Sequence, residues 1–379
     1  MTNWGRFGPL SAEGGIRLVE ALGSHWRHSS NDHERTSALV VARRLRFQLL
    51  LQGEASLHAR VCRFRDRLVY LLVSHHHLDR PAPLRRLKER TGAQFVFFVH
   101  DLIPIEFPEY ARPGQAERHG RRMDTVTRLA DAVIVNSAST RATLQRHFGR
   151  ANRNPPMLVA PLGLDLRPVA ARARPASQPP YFICVGTIEP KKNHLLLLNV
   201  WRQLAAAFGQ DIPRLILVGQ RGWENENVID MIERSVRIRG LVEEHNSLPD
   251  STMESLIVGA RALLAPSFAE GYGLPVAEAL SLGVPVLCSD LPALRAVGKE
   301  VPEYFDPLDG PAWRDAILDY ARPDSARRHA QLMRLSAWRP HSWDEHFAAV
   351  TRLIDDLPPN PAREGRPLAH EPNGARGHH

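Results

Sequence analysis

Six short apolar runs, almost free of polar alternation, constrain this chain more than any other feature. They are FVFFVHD (Phe95–Asp101), DAVIVNS (Asp131–Ser137), YFICVGT (Tyr181–Thr187), RLILVGQ (Arg214–Gln220), ARALLAPS (Ala260–Ser267) and VPVLCSD (Val284–Asp290), and each ends in a polar turn. A strand that is apolar on both faces has to be covered on both faces, which is the situation of a parallel sheet flanked by helices. HLLLLNVWRQLAAAF, VIDMIERSVRI and LPVAEALSLG read as helices between the last four runs. The pattern predicts an α/β chain of two doubly wound units, with ligand bound between them at the carboxyl ends of the strands.

At 379 residues the chain is long enough for two domains of roughly 150 residues each. The expected organisation is a first unit over 1–165, a linker over 166–180, a second unit over 181–335, a helix over 336–357 that packs back on the first unit, and a disordered tail over 358–379. LRPVAARARPASQPP, the linker, and PPNPAREGRPLAHEPNGARGHH, the tail, are rich in Pro, Ala and Arg and carry no apolar period. No run of about 18 apolar residues suggests a membrane span, and the first residues lack a signal-peptide pattern. Cys62, Cys184 and Cys288 form no disulfide or metal spacing, which suits a reducing cytoplasm. His75-His76-His77 could ligate a metal, but consecutive side chains point in different directions, so a loop or strand end is the better reading.

The charge is uneven. Residues 1–165 hold 25 Lys/Arg against 15 Asp/Glu, a balance of +10, and the remainder of the chain carries −2. A basic first half suits an anionic contact: nucleic acid, a phosphate-bearing substrate or an anionic membrane face. A solvated arginine-rich face explains it equally well.

The most informative segment is PSFAEGYGLPVAEAL (Pro266–Leu280). A strand ends near Ala265, a loop carries Glu270, Gly271 and Gly273, and Leu274–Pro275 opens a helix. Proline suits a first helical turn, where its missing N–H leaves nothing unsatisfied. The glycines allow close backbone approach, and the free amides of the helix start favour an anion. Glu270 and Glu278 stand on either side of that site. Two acids cannot both bind phosphate, but each can accept hydrogen bonds from hydroxyls, as a sugar–diphosphate–ribose ligand requires. GTIEPKKNH (Gly186–His194) follows another strand: Gly186 makes a tight turn, Lys191 and Lys192 are point charges for phosphate oxygens, and Asn193 can cap the next helix.

GTIEPKKN, LVGQRGW (Leu217–Trp223) and PSFAEGYGLPVAEALSLGVPV resemble the donor domain of GT-B glycosyltransferases of family 4. HDLIPIEFPEY (His100–Tyr110), DAVIVNSAST and APLGLD (Ala160–Asp165) resemble the mannosyl- and rhamnosyltransferase-like members that build bacterial surface polysaccharides. The resemblance spans about Phe95 to Asp309. It implies two Rossmann-like domains facing each other across a cleft, the first on the acceptor side and the second binding a nucleotide sugar. By residue match, Glu278 would hold the ribose hydroxyls and Glu270 the donor sugar. Lys192, with Lys191 second, would hold the diphosphate, helped by the backbone of Tyr272–Leu274. His100 would face the donor sugar across the cleft. Gly186, Thr187 and Gly219 complete the donor-side set. Gly14, Gly15 and Asp101 are the acceptor-side candidates; Gly14-Gly15-Ile16 would be the family's glycine-rich loop, although no strand-like run precedes it. Asp101 could orient His100, touch the acceptor or cap the next turn. Trp223 could contact nucleotide or simply pack. Asn136 and Ser137 could reach the cleft, Ser137 more simply as a helix cap.

The chain departs from the family in two places. Thr187 and Ile188 stand where many members have an arginine, and Ala296 stands where a glutamate is frequent. The resemblance implies a retaining, metal-independent hexosyltransferase, GDP-sugar dependent, in which the leaving phosphate assists the acceptor hydroxyl and no protein nucleophile is used. No cofactor is implied beyond the co-substrate. The partners would be a lipid-linked oligosaccharide or glycan acceptor and an anionic membrane surface met by the basic half, not nucleic acid. The alternative is a degenerate scaffold subunit that binds nucleotide sugar without transferring it.

Overall fold

The computed structural model describes residues 68–164 and 179–359, with short helical pieces between residues 13 and 61. Gly14, Cys62, most of the linker and the tail beyond residue 359 lie outside the described residues. The first sheet contains β1 (Val69–Leu72), β2 (Gln94–Val99), β3 (Ala132–Val135) and β4 (Met157–Val159), side by side in that order and all parallel. The second contains β5 (Tyr181–Val185), β6 (Arg214–Val218), β7 (Val242–His245), β8 (Leu263–Ala265), β9 (Val286–Ser289) and β10 (Glu303–Phe305). Its order is β10-β9-β8-β5-β6-β7, again parallel throughout. From β5 the chain adds two strands on one side, then returns to add three on the other. That reversal between β5 and β8 is the topological switch point of a doubly wound sheet, where loops diverge and leave a crevice.

The apolar runs behave as their composition demands. Every residue of β2 and β3 is buried. Because successive side chains point to opposite faces, Phe95, Phe97 and Val99 pack with Met123, Val126 and Leu144. Val96, Phe98 and Ile134 pack on the other side with Val350 and Leu357, joined by Leu353 and Ile354. Those last four residues belong to or follow the Trp343–Asp355 helix, which therefore covers one face of the first sheet from the far end of the chain. A capping box starts that helix: the Ser342 hydroxyl accepts from the Glu345 amide and the Glu345 carboxylate accepts from the Ser342 amide. Leu164 N–H donates to His341 O at 3.1 Å, and His346 Nδ1 lies 2.9 Å from Pro161 O, so the same segment also binds the end of the first unit.

Gly219, just past β6, lies against the chain that leaves β5. A Cβ there would sit 2.0 Å from Gly186 O and 2.5 Å from Gly186 C. Both obstacles are backbone, so neither can rotate away. By contrast, Gly120 in the Gln115–Leu129 helix has nothing within 4 Å of an added Cβ. Gly219→Ala is therefore expected to lower unfolding free energy by about 3 kcal/mol through overpacking. Gly120→Ala should raise it by about 1 kcal/mol through helix propensity. Urea titration of the two variants against the parent chain checks both signs.

Candidate functional site

The loops after β5 and β8 interlock at the switch point. Beyond β5 the chain turns through Gly186, at φ +142°, and the Lys192 side chain lies over it; a Cβ on Gly186 would be 3.3 Å from Lys192 Cε. A short helical turn, Pro190–Lys192, leads to Asn193 at φ 55°. Asn193 does not cap the His194–Phe208 helix as the sequence suggests. Its left-handed backbone sets the side chain toward the neighbouring loops, and its amide donates to Pro266 O at 3.1 Å and to Pro307 O at 2.8 Å. Phe268 N–H donates to Lys191 O at 2.8 Å. Three loops, those after β5, β8 and β10, are thus tied together by the Asn193 side chain and one backbone hydrogen bond.

Within this frame Lys192 Nζ donates to Glu270 Oε1 at 2.6 Å, and the buried Ser267 hydroxyl donates to the same oxygen at 2.7 Å. The two charged side chains retain 15% and 11% of their exposure, so the pair is withdrawn from water while opening on a narrow crevice. Cys184, Lys192, Ser267, Glu270, Gly273 and Pro275 line it. Gly273 takes φ +97°, and Leu274 then starts the Leu274–Ser281 helix with Pro275 in its first turn, as the sequence predicts. The start of that helix borders the crevice, so its first amides join Lys192 as sources of positive potential.

The other donor-side candidates are distributed around this centre. Lys191 pairs with Glu189 at 3.1 Å. Burial works against its charge, but Glu189, with Glu270 and Asp101 beyond it, outweighs burial and holds the ammonium above its ordinary range. Thr187 is exposed beside Gly222, where a Cβ would meet Thr187 Cγ2 at 2.8 Å. Glu278 is half-buried one turn into the helix and is not among the residues lining the Lys192–Glu270 crevice. Burial first, then the charges of Asp250 and Glu254, push its carboxyl up to about 7.

The first unit meets this loop directly. A Cβ on Gly271 would lie 3.0 Å from both His100 O and Asp101 Cβ, so the loop after β8 and the end of β2 touch across the cleft. Asp101 Oδ1 accepts from Ile103 N–H at 3.1 Å, which is the turn-capping role. Ser137 likewise caps its helix by accepting from Thr140 N–H. Tyr272 sends its hydroxyl to Leu162 O at 3.0 Å, joining the donor loop to the end of the first unit. Gly15 lies in a helical piece with Ile16 and Arg17, beside a Glu13–Arg17 ion pair, and not in the glycine-rich loop expected there. The local helix, with its i,i+4 pair, is the physical reason. His76 and His77 lie in the loop after β1, and among the described residues no cluster of His, Cys, Asp or Glu is arranged to hold a metal.

Two contacts across the cleft escape sequence reasoning. Tyr110 stacks on Phe268, ring centres 5.2 Å apart and planes 9° apart. The Arg112 guanidinium lies 4.8 Å over the Trp223 ring, so that Trp223 packs under a cation from the other unit. The only signal in the sequence was the aromatic pair of FPEY. Nothing local says which distant ring it meets.

Two family models match the chain in tandem: Glycosyltransferase Family 4 over residues 22–167 and Glycosyl transferases group 1 over residues 170–300. An O-antigen chain mannosyltransferase B of Escherichia coli is 37% identical over 164 residues, which are 43% of this chain and 42% of the relative. A serotype-specific mannosyltransferase WbdA of the same species is 29% identical over 230 residues, 56% of this chain and 28% of the relative. The aligned region is thus less than half the length of either relative. Among solved structures, an α,α-trehalose 6-phosphate synthase from Burkholderia multivorans superposes with a TM-score of 0.61 at 13% identity, over 91% of this chain and 84% of that one. This last likeness concerns the fold alone. Two parallel α/β units that meet at the loop after β8, and two glycosyltransferase models that match them in tandem between residues 22 and 300, make the chain a member of the GT-B-fold glycosyltransferases of family 4.

Proposed function

We propose that the chain is a retaining, metal-independent hexosyltransferase. It moves a mannose- or rhamnose-like sugar from a GDP-linked donor to a lipid-linked or glycan acceptor during surface polysaccharide synthesis. The observation that carries this reading is the Lys192–Glu270 pair in a crevice at the switch point, with the His100–Asp101 turn of the other unit abutting Gly271, the residue next to Glu270. The mannosyltransferase names of the curated relatives support the sugar class. The strongly basic first half supports an encounter with anionic lipid on the cytoplasmic side of a membrane. Among the described residues no helix is long and apolar enough to cross one.

Transfer breaks the bond between the anomeric carbon and the diphosphate, and negative charge builds on the leaving oxygen. Lys192 and the amides at the start of the Leu274–Ser281 helix are fixed before the charge develops, and preorganised donors of this kind lower barriers most effectively. Glu270 accepts from hydroxyls of the donor sugar, and its carboxylate is oriented by Ser267 and Lys192. Glu278, one turn deeper, accepts from ribose hydroxyls. The acceptor hydroxyl loses its proton to the departing phosphate on the same face of the sugar, which preserves the anomeric configuration. The proposed positive charge for phosphate comes from lysine and helix amides, so the reaction needs no metal.

Transfer from GDP-mannose to a mannose-terminated acceptor, with the product linkage read by NMR, tests the reading. An α-linked product from the α-configured donor is expected, whereas an inverted linkage or bound nucleotide without turnover contradicts it. Glu270→Gln keeps the size of the side chain and removes its charge. Its kcat should fall by about 100-fold, the scale of one preorganised group. Its melting temperature should fall as well, because Lys192 is left enclosed without its counter-charge; activity is therefore compared well below that melting temperature.

Glu278 generates a pH prediction. Its carboxyl ionises near 7, so the form that accepts best from hydroxyls grows in as pH rises from 6 to 8. Affinity for GDP, measured by calorimetry, should therefore rise over that window more in the parent chain than in Glu278→Gln. The nucleotide itself titrates in both, and the difference isolates Glu278. At pH 8 the variant should bind about 10-fold more weakly, the scale of one charge-assisted hydrogen bond.

A further inference from the structure

The end of β2 is held by two histidines, His75 and His119, that have no part in the transfer step described above. His100 N–H donates to His75 Nε2 at 3.2 Å. The His100 ring sends Nε2 to Val73 O at 2.8 Å, and His119 sends Nε2 to Asp101 O at 3.1 Å. A carbonyl only accepts, so those two nitrogens carry protons; an amide only donates, so His75 Nε2 is bare. The His75 ring lies between the other two, its centre 5.4 Å from that of His100 and 4.9 Å from that of His119. The two backbone groups thus gripped, the His100 amide and the Asp101 carbonyl, belong to the turn that Gly271 abuts.

We propose that His75 is a positioning residue of the transfer cleft: through the His100 amide, and with His119 on the Asp101 carbonyl, it fixes the β2-end turn against the donor loop. This rests on the reading of that cleft as the site of transfer. The surroundings keep His75 in the form the role requires. Burial first, then His119 and His100, Arg122 from the Gln115–Leu129 helix and neighbouring His76 push its ring down to about 3. The ring therefore stays neutral, with Nε2 able to accept, at any pH where the protein works. His119 is also held low by burial, against the opposing pull of Asp101.

A variant that keeps the ring but loses the acceptor separates positioning from packing. His75→Phe should speed hydrogen–deuterium exchange at the His100 amide at least 10-fold. It should lower kcat about 10-fold, with donor KM within twofold of the parent. His75→Gln, whose side-chain oxygen can reach the same amide, should recover most of both. In the parent chain, 15N NMR should show His75 with Nδ1 protonated and Nε2 bare, a measurement that stands even where His75→Phe fails to fold. Parental exchange and kcat in His75→Phe, equal losses in the Phe and Gln variants, or a protonated Nε2 would each overturn the proposal. Absence of transfer by the parent chain from every nucleotide sugar would instead remove the transferase reading, and the exchange and tautomer results would still decide what His75 holds.

Discussion

The ion pair between Lys192 and Glu270 is the interaction on which the rest of the site depends. Taking two charges out of water costs several kcal/mol per ion before their attraction returns it, and apolar residues of similar volume often serve stability as well. Here the pair is nine-tenths enclosed for the carboxylate and nearly so for the ammonium, with Ser267 spending a further hydroxyl on the same oxygen. Such an arrangement is poorly explained by stability alone. It is well explained if the lysine must stand, charged and fixed, where a diphosphate enters, and the carboxylate where hydroxyl groups enter.

The fold supplies the place for that pair. Parallel strands bring the ends of β5 and β8 together while their loops diverge, and the Asn193 side-chain amide and the Phe268 backbone amide lace the loops to one another. The end of β2 presses on Gly271 of the same loop that carries Glu270. Stacking of Tyr110 on Phe268 and of Arg112 over Trp223 also joins the two units. Because the Trp343–Asp355 helix, which follows the second unit, packs on one face of the first sheet, the placement of the first unit is set by more than the cleft contacts.

The sequence was legible where chemistry is local. β2, β3, β5, β6, β8 and β9 are continuous apolar runs and could hardly fold otherwise. β7, with the sequence VEEH, and β10, with EYF, lie at the edges of the second sheet, one side open, and carry no such run. Gly273, Leu274 and Pro275 announced a helix start because each has a backbone preference of its own. Asn193 did not follow its cap preference, because a left-handed turn and two distant carbonyls decided its rotamer. Glu278 was readable as a helix acid, yet its environment of Asp250 and Glu254 comes from a helix whose approach no spacing reveals. The same holds for His75, which in sequence was one of three histidines in a loop and in space meets the end of β2.

The most direct measurement of the central claim is ligand-induced thermal stabilisation. The parent chain and Lys192→Gln are melted with GDP, UDP, ADP and dTDP at equal concentration. A ligand present at 100 times its Kd stabilises the folded state by about 2.7 kcal/mol. GDP is expected to raise the melting temperature of the parent chain above the other three, and the rise should largely vanish in Lys192→Gln. Equal shifts in the two proteins, or no shift with any of the four nucleotides, would contradict it.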